Sequence, residues 1–412
     1  MTTIKRNYEV AREIYRTYGV DTDLVIEKIK MIPLSIHCWQ LDDIRGFEGK
    51  KYDLSGGIAV TGEYPKINYS LDAYRNDMAK ILKLIPGKKK LNLHAIYLDA
   101  GNEMVDRDQI KPEHFKSWVT FAKENNIGID FNPTCFSHPM SQQGQTLSSS
   151  DDSIRNFWIN HIKQSRKIGE YFGKELGIRC ITNIWIPDGS KEVPVDQLGP
   201  RKRLEQSLDE IFSDQVNPLY NMDALESKLF GIGTESYVVG SHEFYTNYVA
   251  KKGHSMICLD AGHFHPTETI SQKITAYLAL QDELLIHVSR PVRWDSDHVV
   301  LFDDETKAIM HEIVRSDALD RVHLALDFFD GSINRFVATV LGARNALKSL
   351  LFAMLEPTRL LKELESTGKT TERLVLIEEL KTLPFGFIWD KLCDDYGINP
   401  KDFLGEIHTI RK

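Results

Sequence analysis

A chain of 412 residues, 42% hydrophobic and 27% charged, can bury a large core, which excludes a disordered or low-complexity protein. Its formal net charge of −8 excludes the clustered basic surface that nucleic-acid phosphates demand. Lys88, Lys89 and Lys90 form the one notable basic run and read as a solvated turn after Pro86-Gly87.

In chain order, the amino-terminal segment carries Tyr8, Ala11, Ile14 and Tyr15 at helical spacing, with charges interspersed through residues 1–16. No signal peptide, membrane partner or membrane span is expected there, and a cytoplasmic location is. Eight short apolar runs follow, at 32–40, 90–99, 127–134, 179–188, 228–236, 255–264, 284–291 and 321–329, each flanked by turn residues. Between several of them, segments 111–125, 153–173, 202–212, 266–281 and 303–315 repeat apolar positions every three or four residues. Strand alternating with helix implies parallel pairing through right-handed crossovers, and eight such units suggest an α/β protein closed as a (β/α)8 TIM barrel. An open doubly wound sheet competes, but no GxGxxG or GxxxxGK[ST] turn occurs to serve a nucleotide.

Residues 335–412 are rich in Leu, Ala, Glu and Lys without strand signals. The expected organisation is an N-terminal helical extension (1–31), a barrel catalytic domain (32–334) and a C-terminal helical extension (335–412) that serves oligomerisation, with a homotetramer expected. Cysteines at 38, 135, 180, 258 and 393 show no paired spacing, so reduced, buried thiols are expected.

Barrel chemistry comes from the carboxyl ends of the strands. The fifth run ends in Gly-Thr-Glu235-Ser, and the sixth in Leu-Asp260-Ala-Gly-His263-Phe-His265. The seventh passes His287 and runs on to Asp295-Ser-Asp297-His298, and the eighth carries Asp327. Gly262 permits a sharp turn that returns His263 toward Asp260. An extended Asp295-Ser-Asp297 puts both carboxylates on one face, where they repel unless a cation lies between them. Singly, His287 reads as a core histidine, Asp327 as a helix cap, and Asp295 with Asp297 as an acidic loop. Together, seven such groups at four successive strand ends need counter-charge, and two hard-to-borderline dications fit better than one. No cysteine converges with them, which argues against a thiolate site. His94, Trp39 and Trp185 near other strand ends are expected to supply hydrogen bonds and an apolar wall for a sugar, with core packing as the alternative.

Leu-Asp260-Ala-Gly-His263-Phe-His265-Pro-Thr-Glu268 and His287-Val-Ser-Arg-Pro-Val-Arg-Trp-Asp295-Ser-Asp297-His298 resemble the L-rhamnose isomerase family. So do Ser35-Ile-His37-Cys-Trp39-Gln, Leu91-Asn-Leu-His94-Ala-Ile-Tyr-Leu, Asn183-Ile-Trp185-Ile-Pro-Asp188-Gly and Leu326-Asp327-Phe-Phe-Asp330, so the likeness spans essentially the whole chain. The resemblance implies an aldose–ketose isomerase that interconverts L-rhamnose and L-rhamnulose by a hydride shift between C1 and C2. It further implies a catalytic Mn²⁺ on His263, Asp295 and Asp297, and a structural ion, Zn²⁺ or Mn²⁺, on Glu235, Asp260, His287 and Asp327, with Asp260 shared. Asp327, Asp295 and His94 would be the catalytic residues, a water near Asp327 or Asp295 shuttling the proton, and His94, His263, Trp39 and Trp185 would contact the sugar. Two positions depart from the wider pattern. Tyr237 stands where xylose isomerases have a lysine two residues after the glutamate matching Glu235, and Leu41 stands where a glycine is expected. Rival readings are an isomerase or epimerase of another aldose, a metal-dependent phosphodiesterase or endonuclease, which needs a basic mouth, and a non-enzymatic metal-stabilised barrel.

Overall fold

Short apolar segments separated by helices can pair only in parallel, and eight of them do so until the last meets the first. The computed structural model describes residues 2–42, 44–48, 70–141, 144–228, 236–265, 267–291, 297–401 and 403–410. Its closed barrel runs β1 (Leu34–His37), β2 (Lys89–His94), β3 (Gly128–Asn132), β4 (Cys180–Ile184), β5 (Asn221–Glu226), β6 (Met256–Asp260), β7 (Leu284–Val288) and β8 (Val322–Leu326). Closure pairs Ser35 of β1 with Ala325 of β8. A side-chain clamp reinforces it: Gln40 Nε2 donates to the Asp330 carbonyl at 3.0 Å, and the Asp330 N–H donates to Gln40 Oε1 at 2.8 Å. Leu41, at the position where a glycine is expected, is fully buried in the 3₁₀ turn Trp39–Leu41.

Strand alternation divides the apolar residues into two cores. Most pack in the annulus between strands and helices. Ile181, Ala224, Met256, Cys258, Leu285 and Ala325 form a smaller cluster that fills the barrel lumen.

Six barrel strands fall within the expected runs and β2 starts one residue ahead of its own; the fifth does not match: it is Asn221–Glu226, upstream of 228–236. Met222, Ala224, Leu225 and Glu226 are good helix formers, so the segment lacks the β-branched signature of a strand. Tertiary partners override that preference. Asn221 accepts a hydrogen bond from Thr182 Oγ1 at 2.7 Å, and the buried Asp223 carboxylate accepts from Arg166 Nε at 2.8 Å.

Arg166 belongs to the helix Asp152–Leu176, which starts at the Asp151 cap and stops at Gly177 in the left-handed region, φ 65°. Gly173 lets this helix lie flush on the entry to β5, because a Cβ there would come within 1.9 Å of the Tyr220 carbonyl oxygen. Gly173→Ala is therefore expected to destabilise the fold by about 1–3 kcal/mol through overpacking. Urea denaturation checks this, and an unchanged midpoint would refute the close approach.

The helix Arg335–Met354 is long and apolar enough to cross a membrane, yet 78% of the relevant window is buried inside the protein. It packs against the helix Asp304–Arg315 and against β1, as a core helix does. Within the described residues all five cysteines are free and buried.

Candidate metal centre at the barrel mouth

Backbone register assembles the site. Residues paired across parallel strands face the same side. Asp260 of β6 pairs with His287 of β7, and His287 pairs with Ala325 of β8. Asp327 stands one rung further along, its N–H donating to the Val288 carbonyl at 3.2 Å. Glu226 of β5 pairs with Cys258, one rung below Asp260. Glu226, Asp260, His287 and Asp327 thus each offer a ligand atom within 4.8 Å of the others.

His287 Nδ1 is the hub, 2.9 Å from Asp327 Oδ2, 3.3 Å from Glu226 Oε2 and 3.6 Å from Asp260 Oδ2. Three carboxylates around one buried ring nitrogen demand positive charge. Burial lifts the Asp327 carboxyl to about 7 against the pull of His287. Burial works against the Asp260 charge too, but His263 and His287 hold that carboxyl below its usual range. Burial likewise opposes the His287 imidazolium, yet Cys258, Glu226 and Asp327 raise it well above its ordinary value. Three carboxylates with an imidazole are a donor set for a hard or borderline dication. The residues fit such an ion: Asp260 Oδ2, 3.6 Å from His287 Nδ1, is buried without a hydrogen-bond partner among the described residues.

Neighbouring groups hold these ligands in place. Asn183 Nδ2 donates to Glu226 Oε2. The Gly262 N–H donates to Asp260 Oδ1 at 2.6 Å and closes the expected turn. His263 Nδ1 donates to the Ser227 carbonyl at 2.7 Å, which leaves Nε2 as the ring nitrogen able to bind a metal. His263 Nδ1 lies 3.5 Å from Glu226 Oε1, which brings His263 beside the cluster.

Across the mouth, aromatic rings form an arc. Trp39 meets His94 edge-on at 4.5 Å, His37 meets Phe328 at 4.3 Å, and Phe136 meets Trp185 at 5.7 Å. Burial, then the charge of His287, depresses His94 to about 3, so its ring is neutral at ordinary pH. His94 Nδ1 contacts Thr134 Oγ1 at 2.9 Å, while Nε2 is buried without a hydrogen-bond partner among the described residues. Thr134 has φ 59°, a costly conformation for a β-branched residue, and it delivers its hydroxyl to His94. Lys228 is buried beside this wall, its Nζ donating to the Pro187 carbonyl at 2.9 Å and lying 5.9 Å from the Trp185 ring centre.

The opposite end of the barrel has a cavity of 720 Å³, lined in part by Lys90, Asp130 and His323. There Lys90 pairs with Asp130 at 2.9 Å and His323 with Glu283 at 2.5 Å. At the mouth, His94 Nε2, Trp185 Nε1, Asp260 Oδ2 and His287 Nε2 are buried without hydrogen-bond partners among the described residues.

Of the expected residues, the structure brings Asp260, His263, His287 and Asp327 together and sets His94, Trp39 and Trp185 around them. Glu235 and Asp295 lie outside the described residues. Asp297 begins the two-residue strand Asp297–His298, paired antiparallel with Arg290–Pro291 after β7. The carboxylate beside His287 belongs to Glu226, which the sequence reading missed along with Asn183, Thr134 and Lys228. A signal existed: Glu226-Ser-Lys228 has a lysine two residues after a glutamate, the spacing that seemed absent at Tyr237. Cys258 also corrects an expectation, since a thiol does converge on Glu226 and His287.

A (β/α)8 barrel with dication donors at the carboxyl ends of its strands places the protein among metal-assisted barrel enzymes. The family model for L-rhamnose isomerase matches residues 2–412, and the chain belongs to that family. It is 54% identical over 392 residues to L-rhamnose isomerase of Escherichia coli (strain K12), covering 95% of this chain and 93% of that one. It is 54% identical over 412 residues to the L-rhamnose isomerase of Escherichia coli O1:K1 / APEC, covering 100% and 98%. Among solved structures it is similar to an L-ribulose 3-epimerase at 13% identity and a TM-score of 0.48, covering 81% of this chain and 97% of that one. A D-psicose 3-epimerase with D-tagatose from Clostridium cellulolyticum H10 gives 13% and 0.47, covering 78% and 97%.

Proposed function

We propose that this chain interconverts L-rhamnose and L-rhamnulose at the barrel mouth; the observation that carries the site is the cluster of Glu226, Asp260, Asp327 and His287 within 4.8 Å. Family membership favours this aldose–ketose isomerisation over a phosphodiesterase. A divalent ion, when bound, supplies Lewis-acid polarisation of the sugar's O1 and O2 and lets hydride pass between C2 and C1. Glu226, Asp260, His287 and Asp327 would hold a structural ion, Zn²⁺ or Mn²⁺. His263, with its Nε2 lone pair, would hold the catalytic Mn²⁺ together with Asp295 and Asp297.

Proton transfer between the two oxygens is assigned to a water on the Asp327 side of the cluster. Asp295 is the second candidate for that relay. Neutral His94 orients a sugar oxygen through Nε2, and Trp39 and Trp185 wall off the methyl end of a deoxy sugar. The working protein is proposed to be a cytoplasmic homotetramer, with 1–31 and 335–412 flanking a catalytic unit at 32–334 and the C-terminal part mediating assembly.

The test is metal stripping and add-back of Mn²⁺, Co²⁺, Zn²⁺ or Mg²⁺ one at a time, assayed on L-rhamnose and other aldoses. His263→Ala is expected to abolish Mn²⁺-dependent turnover, and persisting turnover would overturn the assignment of His263. With C2-deuterated substrate, label should be retained at C1; full washout into solvent would replace the hydride shift with an enediol.

A further inference from the structure

One lumen residue beside the cluster has no part in the isomerisation. Cys258 pairs in register with Glu226, so thiol and carboxylate share the lumen face whatever rotamer either adopts. Glu226, Cys258 and His287 each offer a ligand atom within 4.8 Å of the other two. All three are buried, with exposures of 3%, 1% and 1%. The neighbours below, Ile181, Ala224, Leu285 and Ala325, are aliphatic, and Met256 adds one thioether sulfur to that layer. His287 adds an independent sign of ligand capacity: its Nδ1 faces the carboxylates, while its Nε2 is buried with no hydrogen-bond partner among the described residues.

We propose that Glu226, Cys258 and His287 form a thiophilic cation site, one rung below the oxygen-rich cluster, that captures soft divalent ions such as Cd²⁺. Soft ions favour sulfur and imidazole, whereas Mn²⁺ and Mg²⁺ favour carboxylate oxygens. When the sulfur–metal bond forms, the thiol proton leaves to solvent and no oxidation occurs. Glu226 and His287 belong to both donor sets, so a soft ion held by Cys258 excludes a hard ion from the four-residue cluster. Thiophilic ions thereby become inhibitors that compete with the working metal and are reversed by chelation. The inference rests on the reading that Glu226 and His287 hold a cation, and the experiment separates the two claims.

Full-length protein stripped by chelation is titrated with Cd²⁺, and ultraviolet absorption reports thiolate-to-cadmium charge transfer. The band is expected to saturate at one ion per chain, to vanish in Cys258→Ser and Cys258→Ala, and to persist in Cys393→Ser, whose thiol is buried in the helix Phe385–Asp394. Cd²⁺ affinity should fall about tenfold or more in both Cys258 variants. The alanine variant matches its lumen neighbours Ala224 and Ala325, and circular dichroism confirms that each variant is folded. Mn²⁺ binding by the same stripped protein is followed by electron paramagnetic resonance. Mn²⁺ binding with no cadmium–thiolate band in the wild type, or a band that survives in the Cys258 variants, overturns the thiophilic site alone. Failure of both ions to bind overturns the cluster as a cation site.

Discussion

Glu226→Gln is expected to lower metal affinity, and with it isomerisation at limiting metal, by about a thousandfold. The substitution preserves shape but removes one negative charge from the ion's immediate surroundings. A unit charge pair at 4 Å is worth about 4 kcal/mol at an effective dielectric of 20, and each 1.4 kcal/mol is about tenfold in binding. Metal content after equilibrium dialysis and kcat/KM across a metal titration measure the loss. The paired variant Glu235→Gln makes the test two-sided: a large loss there, with none at Glu226, would return the ligand role to the later glutamate.

That pair of glutamates marks the boundary of what the sequence discloses. Alternating strand and helix signals determine the barrel, and Asp260, His263, His287 and Asp327 can be read from their positions at the ends of obvious apolar runs. Glu226 ends a strand with no such signature. Asn221–Glu226 exists as a strand because Arg166 and Thr182 satisfy its outward polar groups and because Gly173 lets a helix lie against its entry. These contacts join residues tens of positions apart, and no local window contains them. Thr134 was hidden for a similar reason, since its strained backbone gains meaning only beside His94. Cys258 escaped because an apolar run suggests a packed thiol, whereas strand register decides what the thiol faces.

His287→Ala carries the second large effect, on stability. In the metal-free protein the imidazolium is the positive partner of Glu226, Asp260 and Asp327, and its removal leaves two buried carboxylates and one half-buried one facing one another. Loss of one member of a buried charge network costs about 3–5 kcal/mol, and chelator-treated His287→Ala should show that loss in urea denaturation at neutral pH. The pH dependence has a definite sign. The Asp327 carboxyl is already raised to about 7 with His287 present, and without it rises further. A carboxyl raised in the folded state favours folding below its unfolded value and loses that advantage as pH climbs through the folded value. The variant should therefore approach wild-type stability near pH 4 and fall away from it towards pH 8, while a penalty independent of pH would show that cavity formation rather than charge is responsible.

The clamp between Gln40 and Asp330 joins residues 290 positions apart in sequence. The metal cluster draws on β5 to β8, and its last member, Asp327, lies just beyond the final strand. A nascent chain therefore exposes the Trp39–His94 side of the mouth long before it can assemble the Glu226–Asp260–His287–Asp327 side. Contacts this distant carry a heavy loop-closure cost and form late in folding. Ion capture and barrel closure therefore both wait for the last strand, so a chain truncated or stalled before Asp327 lacks the complete cluster and cannot compete for metal.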